Sequence, residues 1–498
     1  MPLNDRTLGH HGHTVTVPRY PRRSLTPAVV HVGVGSFHRS HQAAYFDEIA
    51  QRGISSEWGL VGIGLHRPEM GEALAAQDGL YTLVSRAPTG PRARVIGVMG
   101  RYLFAPHKPA AVTATLADPR TRLVTLTVTG AAYKIDPATG LFWADDPKVA
   151  SDLRRPHHPR TAVGNLVEAL DQRRRASIRP FTILSCDNMP ANGATARTAV
   201  TSFARLRDER LAEWIEEHVA FPDSMVDRIT PQTTHADREL VAGKFGIDDR
   251  WPVMTEPFSQ WMIEDAFCNS RPPLDAVGAQ FVPDVRPYSL MKTRMLNGSH
   301  CAIAYVGTLA GYRRIDEAVA DPLLASLLDG MMRDEIAPLL DPVPGVDLGD
   351  YQRALLARFA NRGIADRLSR LCRNGSSKMP SHIVSSIRAA RAQGRPHARL
   401  TLAVAAWLRY LRGFDERGRT HEIDDPEGAR LQALALAGGS DPRRVLAEEK
   451  IFGDLGRDER FVEELAAHLR LMHRDGVLTA VRAAMGTDAA APPELAAA

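Results

Sequence analysis

The chain has 498 residues, too many for one ordinary hydrophobic core, so its length predicts two domains. Hydrophobic residues make up 44% of the sequence and charged residues 24%, which is typical of a globular protein. Its 62 Lys and Arg residues are scattered among 58 Asp and Glu residues, and the net charge of +4 predicts no basic surface for a nucleic acid.

The sequence also argues against secretion, a membrane and a metal site. The first residues lack the apolar core of a signal peptide. The longest apolar stretches, such as 400–408, are far shorter than the ~20 residues that cross a bilayer. None of the four cysteines belongs to a CxxC pair, so neither a zinc site nor a disulfide framework is indicated. We therefore expect a metal-independent protein of the reducing cytoplasm.

Strand-like and helix-like segments alternate in the first half of the chain. Apolar, β-branched runs predict strands at 28–35, 58–65, 122–129 and 181–186, and helical patterns lie at 40–53 and 162–176. This alternation predicts an α/β Rossmann-type domain over residues 1–285, with a parallel sheet and helices on both faces.

The first strand ends in a short glycine-containing turn. Gly33–Gly35 stands between a predicted strand and a predicted helix, where a dinucleotide pyrophosphate can approach the backbone. The third glycine of a GxGxxG motif is replaced by His38, so a tight turn without a ligand is the alternative. Arg39 would face a phosphate or form a surface ion pair with Asp47 or Glu48.

The second strand, 58–65, should end near the adenosine ribose. NAD enzymes usually place Asp or Glu there to bind the 2′-hydroxyl group. This chain has His66 and Arg67 at that point, with Glu69 following. NAD is therefore not excluded as the cofactor, but the discrimination against NADP is weakened, so NADP should be tolerated.

A polar run follows the strand at 181–186. Ligands bind at the carboxyl ends of parallel strands, so Asn188 is a candidate amide for a substrate oxygen. An ordinary Asx-rich turn is the alternative.

After about residue 285 the helical pattern dominates. Helical periodicity covers 291–312, 353–372, 398–413 and 460–476. We expect a mostly α-helical second domain over 286–498, which would hold the substrate and the catalytic residues. The low-complexity end, 487–498, is predicted to be disordered.

Three polar residues share one otherwise apolar helical segment of this domain. At about 100° per residue, Lys292, Asn297 and His300 fall within an arc of about 140°. A lysine buried there should have a lowered pKa and could act as a general base. Asn297 could hold an oxygen that develops alkoxide character, and His300 could bind a hydroxyl group. The alternative is a snorkelling lysine beside a satisfied core histidine.

Several long motifs resemble one enzyme family. They are GVGSFHRSHQAAYFDEI (33–49), LSCDNMPANG (184–193), FPDSMVDRITP (221–231), EPFSQWMIED (256–265) and KTRMLNGSH (292–300). In this order they resemble the polyol-specific long-chain dehydrogenases, the mannitol 2-dehydrogenase family, which includes fructuronate and tagaturonate reductases. Members need no metal and are commonly monomers, so we expect the same here.

The resemblance implies roles for the residues at matching positions. Lys292 would be the general base in alcohol oxidation and the acid in ketone reduction. Asn188 and Asn297 would form the oxyanion site, and His300 would orient the substrate. The remaining substrate contacts implied are Asp227, whose local alternative is an ion pair with Arg228, together with Arg370 and Lys378. The cofactor contacts implied or predicted are Gly33, Gly35, Phe37, Arg39, His66, Arg67 and Thr129.

The chain departs from the family at two acidic positions. Family members usually have Glu where Gly130 follows Thr129, and often have Glu where Ser289 stands, three residues before the lysine. These losses bear on the proton route and the substrate range.

Three functions are therefore weighed. The first is interconversion of a mannitol-like polyol and its ketose. The second is reduction of a hexuronate, favoured if Arg370 and Lys378 clamp a carboxylate. The third is a non-catalytic NAD-binding protein, against which the intact Lys292, Asn297 and His300 argue.

Overall fold

The computed structural model describes residues 1–136 and 139–486. The chain forms two compact units, Met1–Arg286 and Pro287–Ala498. The stretch 487–498, for which disorder was predicted, lies outside the described residues.

The first unit alternates strands and helices. Its strands are β1 Val29–Val32, β2 Leu60–Gly64, β3 Tyr81–Ala87, β4 Gly90–Ile96, β5 Met99–Phe104, β6 Leu123–Leu126, β7 Thr182–Ser185, β8 Ser224–Asp227, β9 Val253–Thr255, β10 Gln260–Glu264 and β11 Gln280–Val282. Its α-helices are α1 Leu8–His11, α2 Ser36–Ser40, α3 Gln42–Gln51, α4 Pro68–Ala76, α5 Pro109–Ala117, α6 Pro147–Arg154, α7 Ala162–Arg175, α8 Asn192–Arg207, α9 Glu209–His218 and α10 His235–Phe245. Short 3₁₀ turns lie at Arg22–Ser24, Gly130–Tyr133 and Asp275–Val277.

A parallel sheet of five strands, in the order β5-β2-β1-β6-β7, forms the centre of this unit. Strand β1 pairs in parallel with β2 on one side and with β6 on the other. Its four residues are all buried, as expected of a strand covered on both faces. One face packs against α5, α7 and α8, and the other against α3 and α4. The predicted Rossmann-type architecture is confirmed.

Two small sheets flank the central one, in the orders β11-β10-β8 and β4-β3-β9. The sequence did not indicate them, because β9 and β11 have only three residues each. Strand β9 also pairs with a partner far along the chain, β3.

The helix predicted at 40–53 begins earlier than expected. Helix α2 starts at Ser36, directly after the glycine turn. The helix is interrupted at His41, and α3 begins at the next residue. The backbone of His41, with φ −112° and ψ −88°, interrupts the helix.

The second unit is helical, which confirms the prediction for this part of the fold. Its α-helices are α11 Arg286–Met291, α12 Gly298–Ala310, α13 Ile315–Val319, α14 Pro322–Gly330, α15 Leu348–Phe359, α16 Leu368–Leu371, α17 Gly375–Met379, α18 Ser385–Ala392, α19 Ala398–Tyr410, α20 Gly428–Gly438, α21 Arg443–Leu446, α22 Glu449–Phe452, α23 Glu459–Asp475 and α24 Val477–Met485. Short 3₁₀ turns lie at Ala337–Leu339 and Gly453–Arg457.

Helix α19 forms the core of this unit. Twelve of its thirteen residues, Arg399–Tyr410, are buried, and it packs against α12 and α23. A helix that is buried on every side must be apolar all round, which explains the long apolar run 400–408. No helix in the described part of the chain combines the length and apolarity needed to cross a membrane.

Three π-helical turns interrupt the helices of the second unit, at Lys292–Asn297, Met331–Ile336 and Pro380–Val384. The first packs against each of the other two. Single π turns within helices are rare and often lie at functional sites.

Candidate functional site

The glycine turn after β1 can be formed only by glycine at its first position. Gly33 has φ +100°, and a Cβ atom there would lie 2.3 Å from the carbonyl oxygen of Thr127. The Thr127 hydroxyl also donates a hydrogen bond of 2.9 Å to the Gly33 carbonyl oxygen. The turn is therefore pressed directly against the end of β6.

A cavity of about 280 Å³ opens at this turn. It lies at the carboxyl ends of β1, β2 and β6, where the strand order reverses and ligands of such sheets bind. Its lining includes predicted cofactor residues from all three strand ends, namely Gly33, Gly35, His66, Arg67 and Thr129. The structure thus brings these five residues together.

Three further residues of the cavity lining could not be predicted from any sequence motif. Tyr102, Gln232 and Trp251 come from separate segments of the unit, and no local motif connects them. The Tyr102 ring occupies space that two glycines leave open, since a Cβ atom on Gly64 or Gly71 would clash with it. Burial raises the pKa of the Tyr102 hydroxyl to about 12, so this residue is a neutral donor near pH 7.

Two predicted cofactor residues, Phe37 and Arg39, are not part of this lining. Arg39 is fully buried, donates to the Trp251 carbonyl oxygen and lies over the Tyr81 ring at 5.1 Å. Burial lowers its pKa. The alternative of a surface ion pair for Arg39 is wrong.

The two carboxylates considered for that ion pair have other partners. Glu48 binds Arg52 and Arg94, whereas Asp47 accepts a hydrogen bond from Tyr20. Phe37 packs against the His41 ring at 5.0 Å.

The strand end at His66 and Arg67 is exposed. Glu69, the candidate for a ribose contact, lines a different cavity beside Arg250. The 280 Å³ cavity therefore has an arginine and a histidine at this edge, and Glu69 is not in its lining.

The stretch after β6 has an unusual backbone. Thr129 has φ +71° and ψ 153°, a region that is populated almost only by glycine. Thr129 and Gly130, which follows it, are both exposed. The side chain of Asp187, which follows β7, accepts hydrogen bonds from the N–H groups of Val128 and Thr129.

The predicted substrate residues of the first unit lie at strand ends. Asn188 is exposed two residues beyond Cys186, and Asp227 is buried as the last residue of β8. Arg228 donates to the main-chain carbonyl oxygens of Ser40 and Glu256.

In the second unit, Lys292 and Asn297 are the first and last residues of one π turn. Lys292 is 7% exposed, and Asn297 is half-buried. Hydrogen bonds in a π turn join residues five apart, so these two side chains stand more nearly in line than the expected arc of 140° implied. The expectation of regular α-helix here is wrong, and the correction brings the pair closer to one face.

His300 lies one turn further, in α12. Its ring contacts the Phe359 ring at 4.7 Å, and its buried Nε2 atom has no hydrogen-bond partner among the described residues. Burial lowers its pKa well below the usual value, and the positive charges of Arg370, Arg358 and Lys378 add to this effect. The ring is therefore neutral near pH 7, and its buried Nε2 atom is unsatisfied within the described part of the chain.

Arg370 and Lys378 both belong to the surroundings of His300. Arg370 binds the buried carboxylate of Asp366 through two nitrogens, with 2.7 Å from Nε to Oδ1. Lys378 donates to the Leu371 carbonyl oxygen at 3.2 Å, and burial lowers its pKa.

His382, in the π turn Pro380–Val384, was missed by the sequence analysis. Its Nδ1 lies 3.5 Å from the sulfur of Cys301. Burial, with the charges of Lys378 and Lys292, lowers its pKa to about 3. No sequence motif marks this histidine, because it lies in a different π turn from Lys292, far along the chain.

Within residues 1–136 and 139–486, no three His, Cys, Asp or Glu side chains converge as a metal site would require. All four cysteines have free thiols.

The chain is similar to known proteins along almost its whole length. The sequence profile of the mannitol dehydrogenase Rossmann domain matches residues 27–276, and that of the mannitol dehydrogenase C-terminal domain matches residues 284–473. A mannitol 2-dehydrogenase of Aspergillus fumigatus is 43% identical over 491 residues, which cover 96% of this chain and 98% of that protein. A mannitol dehydrogenase of Saccharomyces cerevisiae is 43% identical over 485 residues, which cover 96% and 97%.

Solved structures give the same result. Mannitol 2-dehydrogenase of Pseudomonas fluorescens, in a ternary complex with NAD and D-mannitol, matches with a TM-score of 0.90 and 42% identity over 97% of this chain and 99% of that one. A D-sorbitol dehydrogenase in substrate-free form matches with a TM-score of 0.88 and 34% identity over 97% and 100%. The resemblance that the motifs indicated is confirmed.

Proposed function

The chain belongs to the mannitol dehydrogenase family, and on that basis we propose that it is an NAD-dependent polyol dehydrogenase that interconverts a mannitol-like polyol and its ketose. One observation carries the proposal beyond family membership. A nearly buried lysine and an asparagine begin and end one π turn, and a neutral histidine with a buried, unsatisfied Nε2 atom follows in the next helix. These are the groups that alcohol oxidation by hydride transfer needs.

The cavity after β1 fits NAD. Gly35, in the lining of this cavity, has no side chain, and the space that a Cβ atom would take is open apart from the Gly33 carbonyl oxygen at 3.8 Å, so a pyrophosphate can approach the backbone there. Bound NAD supplies the acceptor for the hydride of the carbinol carbon. The relative from Pseudomonas fluorescens holds NAD together with D-mannitol.

We assign the proton transfer to Lys292. In the oxidation direction its neutral amine takes the proton of the reacting hydroxyl group, and in the reduction direction its ammonium group returns that proton to the carbonyl oxygen. The amide of Asn297 donates a hydrogen bond to the same oxygen as negative charge develops on it. His300 holds a substrate hydroxyl group through Nε2. The family resemblance predicts Asn188 and Asp227 as further substrate contacts, and both remain predictions.

Two features favour an uncharged substrate. The charge of Arg370 is balanced by the Asp366 carboxylate, which is 3% exposed. Lys378 donates to a main-chain carbonyl oxygen, and its pKa is lowered by burial. Both cations therefore suit hydroxyl groups better than a second carboxylate.

Hexuronate reduction is the second candidate function. Three positive side chains, Arg358, Arg370 and Lys378, lower the pKa of His300, and so they make its surroundings electropositive. Such an environment favours a carboxylate if the Arg370–Asp366 pair opens.

The test is a substrate survey by NADH absorbance. We expect the highest kcat/KM with D-mannitol in oxidation and with fructose in reduction. Faster reduction of fructuronate or tagaturonate would establish the second candidate instead. Tight NADH binding without turnover of any of these compounds would favour a non-catalytic NAD-binding protein.

A further inference from the structure

We propose that Asp187 is a positioning residue for cofactor binding, which acts by holding Thr129 in the conformation that shapes the wall of the cofactor cavity. This inference rests on the proposed function, since it assumes that NAD binds beside Gly33. Asp187 precedes the predicted substrate residue Asn188, but no role has been assigned to its carboxylate.

The backbone of Thr129 is the first observation. Its φ of +71° and ψ of 153° lie in a region that L-residues avoid, and the β-branched side chain makes this conformation still less favourable. Such a conformation persists only where surrounding groups enforce it. Thr129 lines the cofactor cavity together with Gly33 and Arg67.

The second observation is the set of donors around Asp187. Its Oδ1 accepts the N–H of Thr129 at 2.8 Å, and its Oδ2 accepts the N–H of Val128 at 3.1 Å. The Tyr133 hydroxyl, which also contacts Ser185, donates to Oδ2 at 2.7 Å. One carboxylate therefore holds two successive peptide groups, and both of its oxygens are used.

The position of Asp187 in the sheet explains why it can do this. Strands β6 and β7 are parallel neighbours, with Leu126 opposite Ser185, so their carboxyl ends emerge side by side. Asp187 follows β7, and Thr129 follows β6. The carboxylate thus joins two strand ends at the edge of the sheet where the cofactor cavity lies.

Loss of this carboxylate should change cofactor affinity more than chemistry. Without the two acceptors, the backbone at Thr129 can relax to a common conformation, and the cavity wall changes shape. We expect the Kd and the KM for NADH to rise, while kcat at saturating NADH stays close to that of the wild type.

The first variant is Asp187→Asn. The amide keeps the shape of the side chain, but it offers one acceptor oxygen where two N–H groups need two. We expect the Kd for NADH, measured by protein fluorescence, to rise about tenfold, as for one lost hydrogen bond to a charged group. The matched control is Asp152→Asn. Asp152 is a buried carboxylate of the same unit that accepts the N–H groups of Arg160 and Thr161, outside the cofactor cavity. This variant should leave the Kd unchanged.

The decisive readout is rescue by glycine. Glycine adopts the Thr129 conformation without strain. In a Thr129→Gly background, Asp187→Asn should therefore raise the Kd by less than about threefold, a coupling that a merely structural role would not produce. If the effect of Asp187→Asn is the same in both backgrounds, the inference is wrong.

Tyr133→Phe covers the case in which Asp187→Asn does not fold. It removes only one of the three donors to the carboxylate, so a smaller rise in Kd is expected, again suppressed by Thr129→Gly. If Tyr133→Phe raises the Kd equally in both backgrounds or leaves it unchanged, the inference is overturned. A wild-type protein that binds no NADH would overturn the proposed function itself, and the inference with it.

Discussion

Arg67 lies exposed at the rim of the cofactor cavity, at the end of β2 where NAD enzymes usually have an acid. An acid there accepts the ribose 2′-hydroxyl group and repels a 2′-phosphate. An arginine attracts the 2′-phosphate instead of repelling it, because its guanidinium group can pair with the phosphate. We therefore predict that NAD is preferred but that NADP is used appreciably. In Arg67→Ala, the ratio of kcat/KM for NADPH to that for NADH should fall about tenfold.

Arg92→Ala is the control for this prediction. Arg92 is also exposed, but it lies in β4, outside the cofactor cavity, so its removal should leave the ratio unchanged. An Arg67→Ala ratio equal to that of wild type would show that Arg67 points into solvent.

Among the individual site residues, the sequence predicted those that belong to local motifs. Gly33 follows a strand, and Lys292, Asn297 and His300 share one segment, so both groups could be found by spacing. The burial of Arg39 could not be predicted, because its position depends on Tyr81 and Trp251, which lie far along the chain. His382 was missed for the same reason.

The start of α19 depends on one buried carboxylate. Glu335, in the second π turn, is 1% exposed and accepts the N–H groups of Arg399 and Leu400, both at 2.9 Å. These N–H groups belong to the first turn of the helix and have no partner within it. We predict that Glu335→Gln lowers the free energy of unfolding by ~1–3 kcal/mol, since the amide can satisfy only one of the two donors.

Urea unfolding followed by circular dichroism measures this effect. The control is Glu463→Gln, which alters a side chain of α23 that is 61% exposed and should change stability little. Equal effects of the two substitutions would contradict the role given to Glu335.

At the scale of elements, length decided what could be predicted. The long helices and the central strands stood out by periodicity. The π turn Lys292–Asn297 did not, because a stretch of six residues is too short for a change of helical period to show in the apolar pattern. The region 353–372, expected as one helix, is divided into α15 and α16 by a loop in which the Asp366 carbonyl oxygen accepts the N–H of Ile315, a contact with a distant segment that no local pattern indicates.

Across the whole molecule, burial lowers the pKa of several histidines. Among the described residues these are His31, His38, His300, His382, His397, His421, His468 and His473. In the unfolded chain each binds a proton below about pH 6.5, whereas in the folded protein it stays neutral to lower pH. Their contribution to stability is therefore complete above pH 6.5 and is lost as the pH falls.

His473 offers a direct test of this prediction. Burial and the nearby Arg412 and Arg409 lower its pKa to about 4. Between pH 6.5 and 4, one such histidine makes unfolding easier by up to ~1.4 kcal/mol per pH unit. The free energy of unfolding of His473→Gln should thus depend less on pH than that of wild type. His235→Gln, at a side chain that is 80% exposed, should not change the slope. A wild-type slope in His473→Gln would contradict the prediction.

The overall architecture followed from the order of segments. Alternating strands and helices, then helices alone, predicted the parallel sheet and the helical second unit. The two small sheets did not follow, because short strands such as β9 pair with segments more than 150 residues away, as Val253 does with Leu83.

We propose that Lys292 transfers the proton in a polyol–ketose interconversion, and this proposal can be tested at the lysine itself. Its most direct test is the turnover of Lys292→Ala with D-mannitol and NAD, beside the Kd for NADH and with Lys450→Ala, at an exposed lysine of α22, as the control. We expect that Lys292→Ala lowers kcat ~100-fold or more and leaves the Kd for NADH nearly unchanged, whereas Lys450→Ala behaves as wild type. Wild-type turnover in Lys292→Ala would contradict it.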